Sequence, residues 1–553
     1  SLDTGKPVKF VPPSYALKDI TRIPRWRKIS SSEHGCRFWW LEYGGRLDTI
    51  HDTEQIKWEI WSVVYGVWDY IKNSGNFPDA ENLTLSWVGT IPGKRESRRF
   101  EGEYTLVQQD IIEQRHHPDA VAFGGWAIDL HPADGVYSSQ NGCIQYHSKG
   151  IYEIPYRCYC SRDIRNLFLA GRCISASHVA HGSTRVMATS GFGAQAIGMA
   201  AALCLQKGVL PADLTRPEFM RLLQQRLNLA GQSIPGIRID SAGNLAASAR
   251  ISASSELRLA EIPFDGGWMP LDYSAAQLLP LKAGVRYRFE IEVEACEATV
   301  LEAELRYAAK PFNYTPDMTA ERVRIPVEMG TCKLSVVFTG TVPSDQYGFV
   351  TFLKNNALRI RSSKARYTGI VSVFNKFNEA VNNNGRQTPP AGSGIDAFEF
   401  WCPDRRPAGQ NIAMRITPAI EAFSPSNVVN GFVRPTVTAN AWCAAFGDKM
   451  PRLSFCWDVP QRIGRIRLFF DTDYDHALES VQMGHPERVI PFCVQGYRIL
   501  DGHGNVVCEC TDNHQTINDI RLKETLETDR LAIVVEHPSS EVAAALFQIH
   551  IEA

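Results

Sequence analysis

Charge of one sign, long apolar runs and a dense cysteine framework are all missing from this chain, and each absence excludes something. Its 58 Lys and Arg nearly cancel its 60 Asp and Glu, leaving a formal net charge of −2 over 553 residues. No dense Lys/Arg stripe overturns that balance, so the electrostatic footprint of a nucleic-acid binder, or of a protein drawn to an anionic membrane, is absent. No stretch of about 18 uninterrupted apolar residues occurs, which argues against a membrane span. The start lacks the basic-then-apolar pattern of a signal peptide, and a soluble protein is expected, with cytoplasm and periplasm both open. The 14 cysteines are sparse and irregular for this length, so reduced thiols are the default. Cys158/Cys160 and Cys508/Cys510 share a face of strand-like text. Neither pair has a second ligand pair at zinc spacing, so they read as ordinary thiols and no metal is expected.

What is present is length for two to four domains, at about 100 to 200 residues each, and a change of texture. Residues 1–235 are mixed and rich in aromatics and Arg. Ile56, Ile60, Val63, Val64, Val67 and Ile71 keep helical spacing over Thr53 to Asn73. From about 240 the helical period disappears. Tyr287 to Val293, Leu334 to Phe338 and Gly348 to Leu353 read as strands between Gly, Pro and Asp turns, the pattern of an antiparallel β-sandwich over 240–415. Asn375 to Gly394, with Asn382-Asn-Asn-Gly385 and Pro389-Pro-Ala-Gly-Ser-Gly394, reads as a polar loop or linker. A second sandwich is expected over 425–553, from Leu453 to Val459, Ile463 to Phe470, Tyr497 to Leu500 and Arg530 to Val535, separated by hairpin turns. Internal repeats are lacking.

Chemistry concentrates between 166 and 206. Leu167 to Ala170 is a short apolar run that reads as a buried parallel strand, and Gly171 lets the chain leave it tightly. His181-Gly-Ser-Thr-Arg185 follows, and then a helix from Gly191 to Gln206 whose Gly191, Gly193 and Gly198 leave room for close approach.

Several long motifs in order carry a resemblance over roughly the first 210 residues: Trp39-Trp-Leu-Glu-Tyr-Gly-Gly45, Tyr65-Gly-Val-Trp-Asp69, Pro92 to Arg99, Phe123 to Pro132, Ile154-Pro-Tyr-Arg157 and Leu167 to Ala202. This region resembles the C-terminal two-thirds of a family of bacterial FAD-dependent oxidoreductases. The resemblance implies a multidomain fold: a partial α/β, Rossmann-like FAD domain with an α+β cap or substrate segment, followed by the two mostly antiparallel β-sandwiches. It implies FAD as cofactor and hydride transfer from a polar, carbohydrate-derived substrate. The family's opening strand, G-x-G-x-x-G turn and helix, which hold the FAD pyrophosphate, are absent from the sequence. The reading is therefore of a truncated flavin domain that holds FAD weakly or not at all, and the alternative is a non-catalytic fragment, or a carbohydrate-binding or scaffold protein. An incomplete sheet would expose an edge, so a homo-oligomer is the expected partner state.

His181 to Arg185 is also similar to the HGANR-type segment of fumarate reductase-like flavoproteins. Carried over by position, Arg185 and His181 become substrate-binding or proton-transfer residues, with Tyr156 and Arg157 facing the flavin pocket. Ala170, Gly171, Arg172, Ser183, Thr184, Thr189, Ser190 and Gly191 become cofactor contacts, the last three at a helix N-terminus suited to a reduced flavin. Each has a bland alternative: an ion pair in the fold for Arg185, a satisfied core histidine for His178 or His181. Lys94, Arg95 and Arg98 form a cationic loop that could hold a hydroxyl-rich or anionic substrate, or simply a solvated turn. Trp126, with Asp129 and His131, offers a platform and an acid/base pair or a packed strand. A glycoside hydrolase or lyase would need paired carboxylates; Asp129 and Asp134 are the nearest, at no diagnostic spacing. The last part, with Trp442, Trp457-Asp458-Val459 and Ile463 to Leu468, resembles discoidin-type or galactose-binding-like domains, some of which bind sugar and many of which only pack.

Overall fold

The computed structural model describes residues 1–553 except 26, 32–37, 311, 379–382, 404–410 and 474–488; Asn382 of the expected linker lies outside the described residues. The first region is built around two apolar clusters. One surrounds α1 (Thr53–Asn73), which runs over the residues its periodicity predicts and buries Ile56, Val63, Val67 and Ile71. Glu54 in its first turn and Lys72 in its last complement the helix dipole. The other cluster holds α2 (Gln108–Ile112), β1 (Ala120–Gly124), β2 (Ile128–Leu130), β3 (Ile144–Tyr146) and β4 (Tyr152–Pro155), then α3 (His178–Thr184), α4 (Met187–Lys207) and α5 (Pro217–Leu229). β1 pairs with β4 and β2 with β3, both antiparallel.

Two details differ from the sequence reading. Leu167 to Ala170 is not a strand: Phe168 makes one isolated bridge to Cys160, Leu169 alone is buried, and Ala170 is exposed. A buried parallel strand needs hydrogen-bonded neighbours on its flanks, and every strand pair between named strands among the described residues is antiparallel. The glycine-rich helix also begins earlier, with Val186 at the N-cap of α4, and ends on Gly208 at φ +65°, the left-handed conformation that glycine adopts freely. Although free of a long uninterrupted apolar run, α4 is long and apolar enough to cross a membrane. Here it packs Ala196, Ala200 and Leu203 into the core, and Gly193 lies so close to Tyr159 that a Cβ would fall 2.4 Å from its hydroxyl. Its outward stripe of Met187, Gly191, Ala194, Gly198, Ala202 and Leu205 is exposed or partly so.

The middle module is two antiparallel sheets over one apolar core. One runs Met318–Val327, Thr299–Tyr307, Gln346–Phe352, Ala275–Leu281, Ser372–Phe374; the other is centred on Arg288–Ala295 and Asn355–Ser363. The last module is a seven-stranded sheet. Here the expected hairpin between Val459 and Ile463 is replaced by one 19-residue strand, Arg452–Phe470, whose register shifts around Pro460. A bulge bends the strand and spares Pro460 the missing amide donor. The strand Arg250–Ala253 pairs with Arg452–Phe470, and Asn244 donates to the Ile549 carbonyl and accepts from Ile551 N–H, both at 2.9 Å. Residues 244–253, expected in the middle module, therefore belong to the last one.

The expected linker is docked onto the first region. Gln387 accepts from His147 N–H at 2.8 Å and donates to its carbonyl at 3.0 Å, while the His147 ring stacks on Phe400 at 3.8 Å.

Candidate active site

A cavity of about 680 Å³ opens in the first region, within the range of small-molecule sites. α1 contributes apolar side chains to its lining, Trp61 among them, and the loop 92–97, β2 and Arg185 at the end of α3 contribute charge. Two glycines set this geometry. At Gly182 a Cβ would lie 2.9 Å from the Asp129 carbonyl, so only glycine lets α3 rest on β2. At Gly135, where φ is +53°, a Cβ would lie 2.1 Å from the Glu42 carbonyl, which accepts from Val136 N–H at 2.7 Å.

These approaches assemble a chain of charge. His131 Nδ1 lies 2.8 Å from Glu42 Oε2, and His131 Nε2 lies 3.0 Å from Asp129 Oδ2. Arg95 contacts Glu42 Oε1 at 2.6 Å and sets a guanidinium nitrogen 2.9 Å from His131 Nε2. Arg185, the C-cap residue of α3, donates to the Asp129 carbonyl at 3.3 Å and reaches its Oδ2 at 3.4 Å. Burial opposes charge on His131, but hydrogen bonds to Asp129 and Glu42 outweigh it and raise its pKa. Burial likewise opposes ionisation of Asp129, yet His131 and Arg185 hold its pKa below the usual carboxylate value. Cys143 beside Asp129 is pushed up to about 12 by burial and by that carboxylate, so it stays a thiol.

His131 Nε2 thus has two alternative partners. Protonated, it donates to Asp129; neutral, with its hydrogen kept on Nδ1 for Glu42, it accepts from Arg95. The arrangement lets a proton enter or leave Nε2 with compensation on either side, which is what a general acid/base needs.

The expected site residues divide between the cavity and the core. Arg185, Lys94 and Arg95 line the cavity; Lys94 Nζ donates to Thr53 Oγ1 at 2.9 Å. His181 is buried beneath it, with Nε2 3.4 Å from the Arg95 carbonyl and Nδ1 without a partner. Burial, with Arg185, Arg99 and Arg172 nearby, pushes its pKa down to about 4 and keeps it neutral. Arg98 and the half-exposed Trp126 are outside the lining. Tyr156 and Arg157 belong to the fold: the buried Tyr156 hydroxyl donates to the Pro211 carbonyl at 2.8 Å, and Arg157 donates to Asp119 Oδ2 at 2.9 Å and stacks on Tyr104. Neither lines the cavity: both lie in the turn that follows β4, Tyr156 packed into the apolar cluster and Arg157 held by Asp119 and Tyr104. Ser183 is likewise engaged, donating to the Trp126 carbonyl at 2.7 Å and meeting the Tyr152 hydroxyl at 2.5 Å. Among the described residues, no group of three or more His, Cys, Asp or Glu is arranged to hold a metal ion.

Sequence reasoning did not single out Glu42. It stands inside one of the quoted motifs, but nothing along the chain ties it to His131, 89 positions away.

Several of the residues expected to touch FAD gather at the start of α4 and the turn 171–173 packed against it. A Cβ at Gly171 or Gly191 would meet no atom within 4 Å, Ala170 and Met187 are exposed, and the first turn of α4, with Thr189 and Ser190, has no side-chain cap. That surface suits a flat ring lying close to backbone. Arg172 donates to Ser97 Oγ at 3.2 Å beside it, and Thr184 Oγ1 is buried without a partner. For the pyrophosphate and adenosine, the described residues contain no glycine-turn and helix of the dinucleotide kind. The fit to FAD is one-ended.

Residues 2–227 match the family model of FAD dependent oxidoreductases. No curated protein matches the chain. Among solved structures, part of the chain is similar to the family 32 carbohydrate-binding module from Streptococcus pneumoniae EndoD, at 14% identity and a TM-score of 0.19 over 24% of this chain and 87% of that one. It is also similar to the family 32 module of C. perfringens NanJ in complex with galactose, at 12% identity and 0.18 over 24% and 86%. A third is chitosan-binding module 1 of the chitosanase/glucanase from Paenibacillus sp. IK-5, at 14% and 0.18 over 24% and 86%. At such scores these likenesses carry no argument about what this chain binds. The stretch that matches this family model also holds the residues that line the cavity.

Proposed function

We propose that residues 1–235 form the substrate side and the flavin-ring side of an FAD-dependent oxidoreductase acting on a polar substrate, and that this chain alone holds FAD weakly. The observation that carries this is the Glu42–His131–Asp129 chain lining a cavity within the family-matched stretch. Bound FAD supplies the hydride acceptor. The protein's own part is to orient and to move a proton. Neutral His131, its Nδ1 hydrogen held by Glu42, presents Nε2 to a substrate hydroxyl and takes its proton; Asp129 then stabilises the imidazolium. Arg95 orients the same hydroxyl, and Arg185 keeps Asp129 ionised.

Absorbance spectroscopy tests this. The purified chain should be colourless and should shift the flavin bands only at high added FAD. A chain that never perturbs those bands overturns the catalytic reading and leaves the alternative, a binding or scaffold protein. Tightly co-purifying FAD overturns the weak-retention clause. The exposed C-terminal end of the α4 stripe, Ala202 and Leu205, away from the flavin surface, supports a homo-oligomer; a clean monomer in light scattering would remove it.

A further inference from the structure

Apart from its histidines, the cavity's lining is formally neutral. Three cations, Lys94, Arg95 and Arg185, stand beside three carboxylates, Glu42, Glu96 and Asp129. Most are already matched: Arg95 with Glu42, Arg185 with Asp129, and Glu96 with Arg99 and His178 from outside and inside the lining. A carboxylate ligand offers only acceptors: Lys94, bonded to Thr53 Oγ1 rather than to a carboxylate, could meet one of its oxygens, but any further contact would have to draw Arg95 or Arg185 from its partner and strand Glu42 or Asp129 in a half-buried site. A hydroxyl donates and accepts at once, and can bridge a guanidinium and a carboxylate without separating them.

The rest of the lining is apolar. Ile60, Trp61 and Val64 of α1 and Ile91 line it, and the Trp61 ring is fixed in place by its indole N–H, which donates to the Gly89 carbonyl at 2.8 Å. An immobilised aromatic next to apolar side chains suits the C–H face of a saturated ring. Paired charges for hydroxyls together with a fixed aromatic for C–H groups describe one ligand chemistry.

From this we infer that the cavity takes an uncharged polyhydroxylated ring, a pyranose or cyclitol, seated with C–H groups toward Trp61 and hydroxyls on the Arg95–Glu42 and Arg185–Asp129 pairs. The inference names the substrate class for the oxidoreductase site proposed above and rests on that site being the binding cavity.

Titration of the flavin-free full chain with methyl β-glucopyranoside, myo-inositol, glucuronate and succinate, read by calorimetry and ligand-observed NMR, tests it. A neutral ring should bind more tightly than either anion. Glu42→Gln and Trp61→Ala should each weaken it by about tenfold or more, as the loss of a charge-assisted hydrogen bond or an aromatic platform does. Trp61→Phe, which keeps an aromatic ring and preserves folding where alanine fails, should retain most of the affinity. Tighter binding of succinate or glucuronate, the latter through Lys94, overturns the inference. So does neutral-ring binding indifferent to both substitutions, which would place the sugar elsewhere on the chain, or no binding of any ligand at millimolar concentration. Flavin does not enter the measurement: a chain that binds the ring but ignores FAD sinks the redox reading alone, and one that takes FAD but prefers anions sinks this one alone.

Discussion

The first region and the two β modules both bury polar groups and bring backbones close at glycines, but they differ in what those contacts frame. In the β modules large apolar side chains such as Trp442, Phe455, Phe289 and Phe352 fill the space between or along sheets, and the ion pairs mostly lie at strand surfaces. In the first region backbones meet at glycines, and groups such as Asp110, His181 and Thr184 are buried within the fold. Buried polar groups cost stability unless partnered; in the first region Glu42, Asp129, His131 and Arg185 place such partnerships on the wall of a cavity, whereas in the middle module Glu304 and Arg306 use theirs to hold strands together.

Substitutions can break or sharpen that contrast. The largest effect belongs to the β modules: Trp442→Ala should cost about 3 to 5 kcal/mol of stability, since it empties a fully buried site and strands the Ser255 carbonyl its indole N–H reaches at 3.0 Å. Denaturant unfolding measures it, and a cost under about 1 kcal/mol would mean the core collapses around the hole.

Next comes acid sensitivity of the first region. His181 has a folded pKa near 4 against an ordinary 6.5, so as pH falls from about 6.5 towards 4 the unfolded chain gains a proton that the folded one refuses, and stability is lost by an amount on the order of 3 kcal/mol. His131 has the opposite sign. Its raised pKa gives stability that is complete below about 6.5 and is lost as pH climbs through the folded value. Unfolding of the wild type and of His181→Gln between pH 4 and 8 separates the two: the variant should lose the His181 share of the acid slope and keep that of His147, which burial also pushes down to about 4, and an unchanged slope would reassign it.

The glycines make a smaller pair of opposite outcomes. Gly182→Ala should destabilise by about 1 to 3 kcal/mol, because the new methyl presses on the Asp129 backbone. It should also disturb the His131 titration seen by NMR. Gly191→Ala meets open space inside a helix and should stabilise by up to about 1 kcal/mol. If the α4 face receives a flavin ring, the same change should weaken the FAD-induced absorbance shift; an unaltered shift would move the ring elsewhere.

Where regular periodicity decided the outcome, the sequence was legible. α1 follows its apolar spacing from Thr53 to Asn73, and the strands expected near Tyr287, Leu334, Gly348 and Tyr497 all form. Legibility failed where tertiary context governed. Leu167 to Ala170 has the composition of a buried strand but no partner to pair with, and Arg452–Phe470 runs through a proline that reads as a turn. Of the cavity's lining, Arg185, Lys94 and Arg95 stand in the quoted motif text, and Asp129 with His131 reads there as a pair. Glu42 was not found, since its contact with His131 exists only because the chain folds closely at Gly135 and Gly182.

The strand Arg250–Ala253 is followed by the whole middle module before its partner appears, with Ala253 set against Leu453. On a ribosome adding about 5 to 20 residues per second, that strand would emerge and then wait roughly 10 to 40 seconds for residues to pair with. During that interval the middle module can complete itself, whereas the sheet that frames it cannot; the timetable of synthesis therefore makes the inserted piece the older of the two in every molecule made.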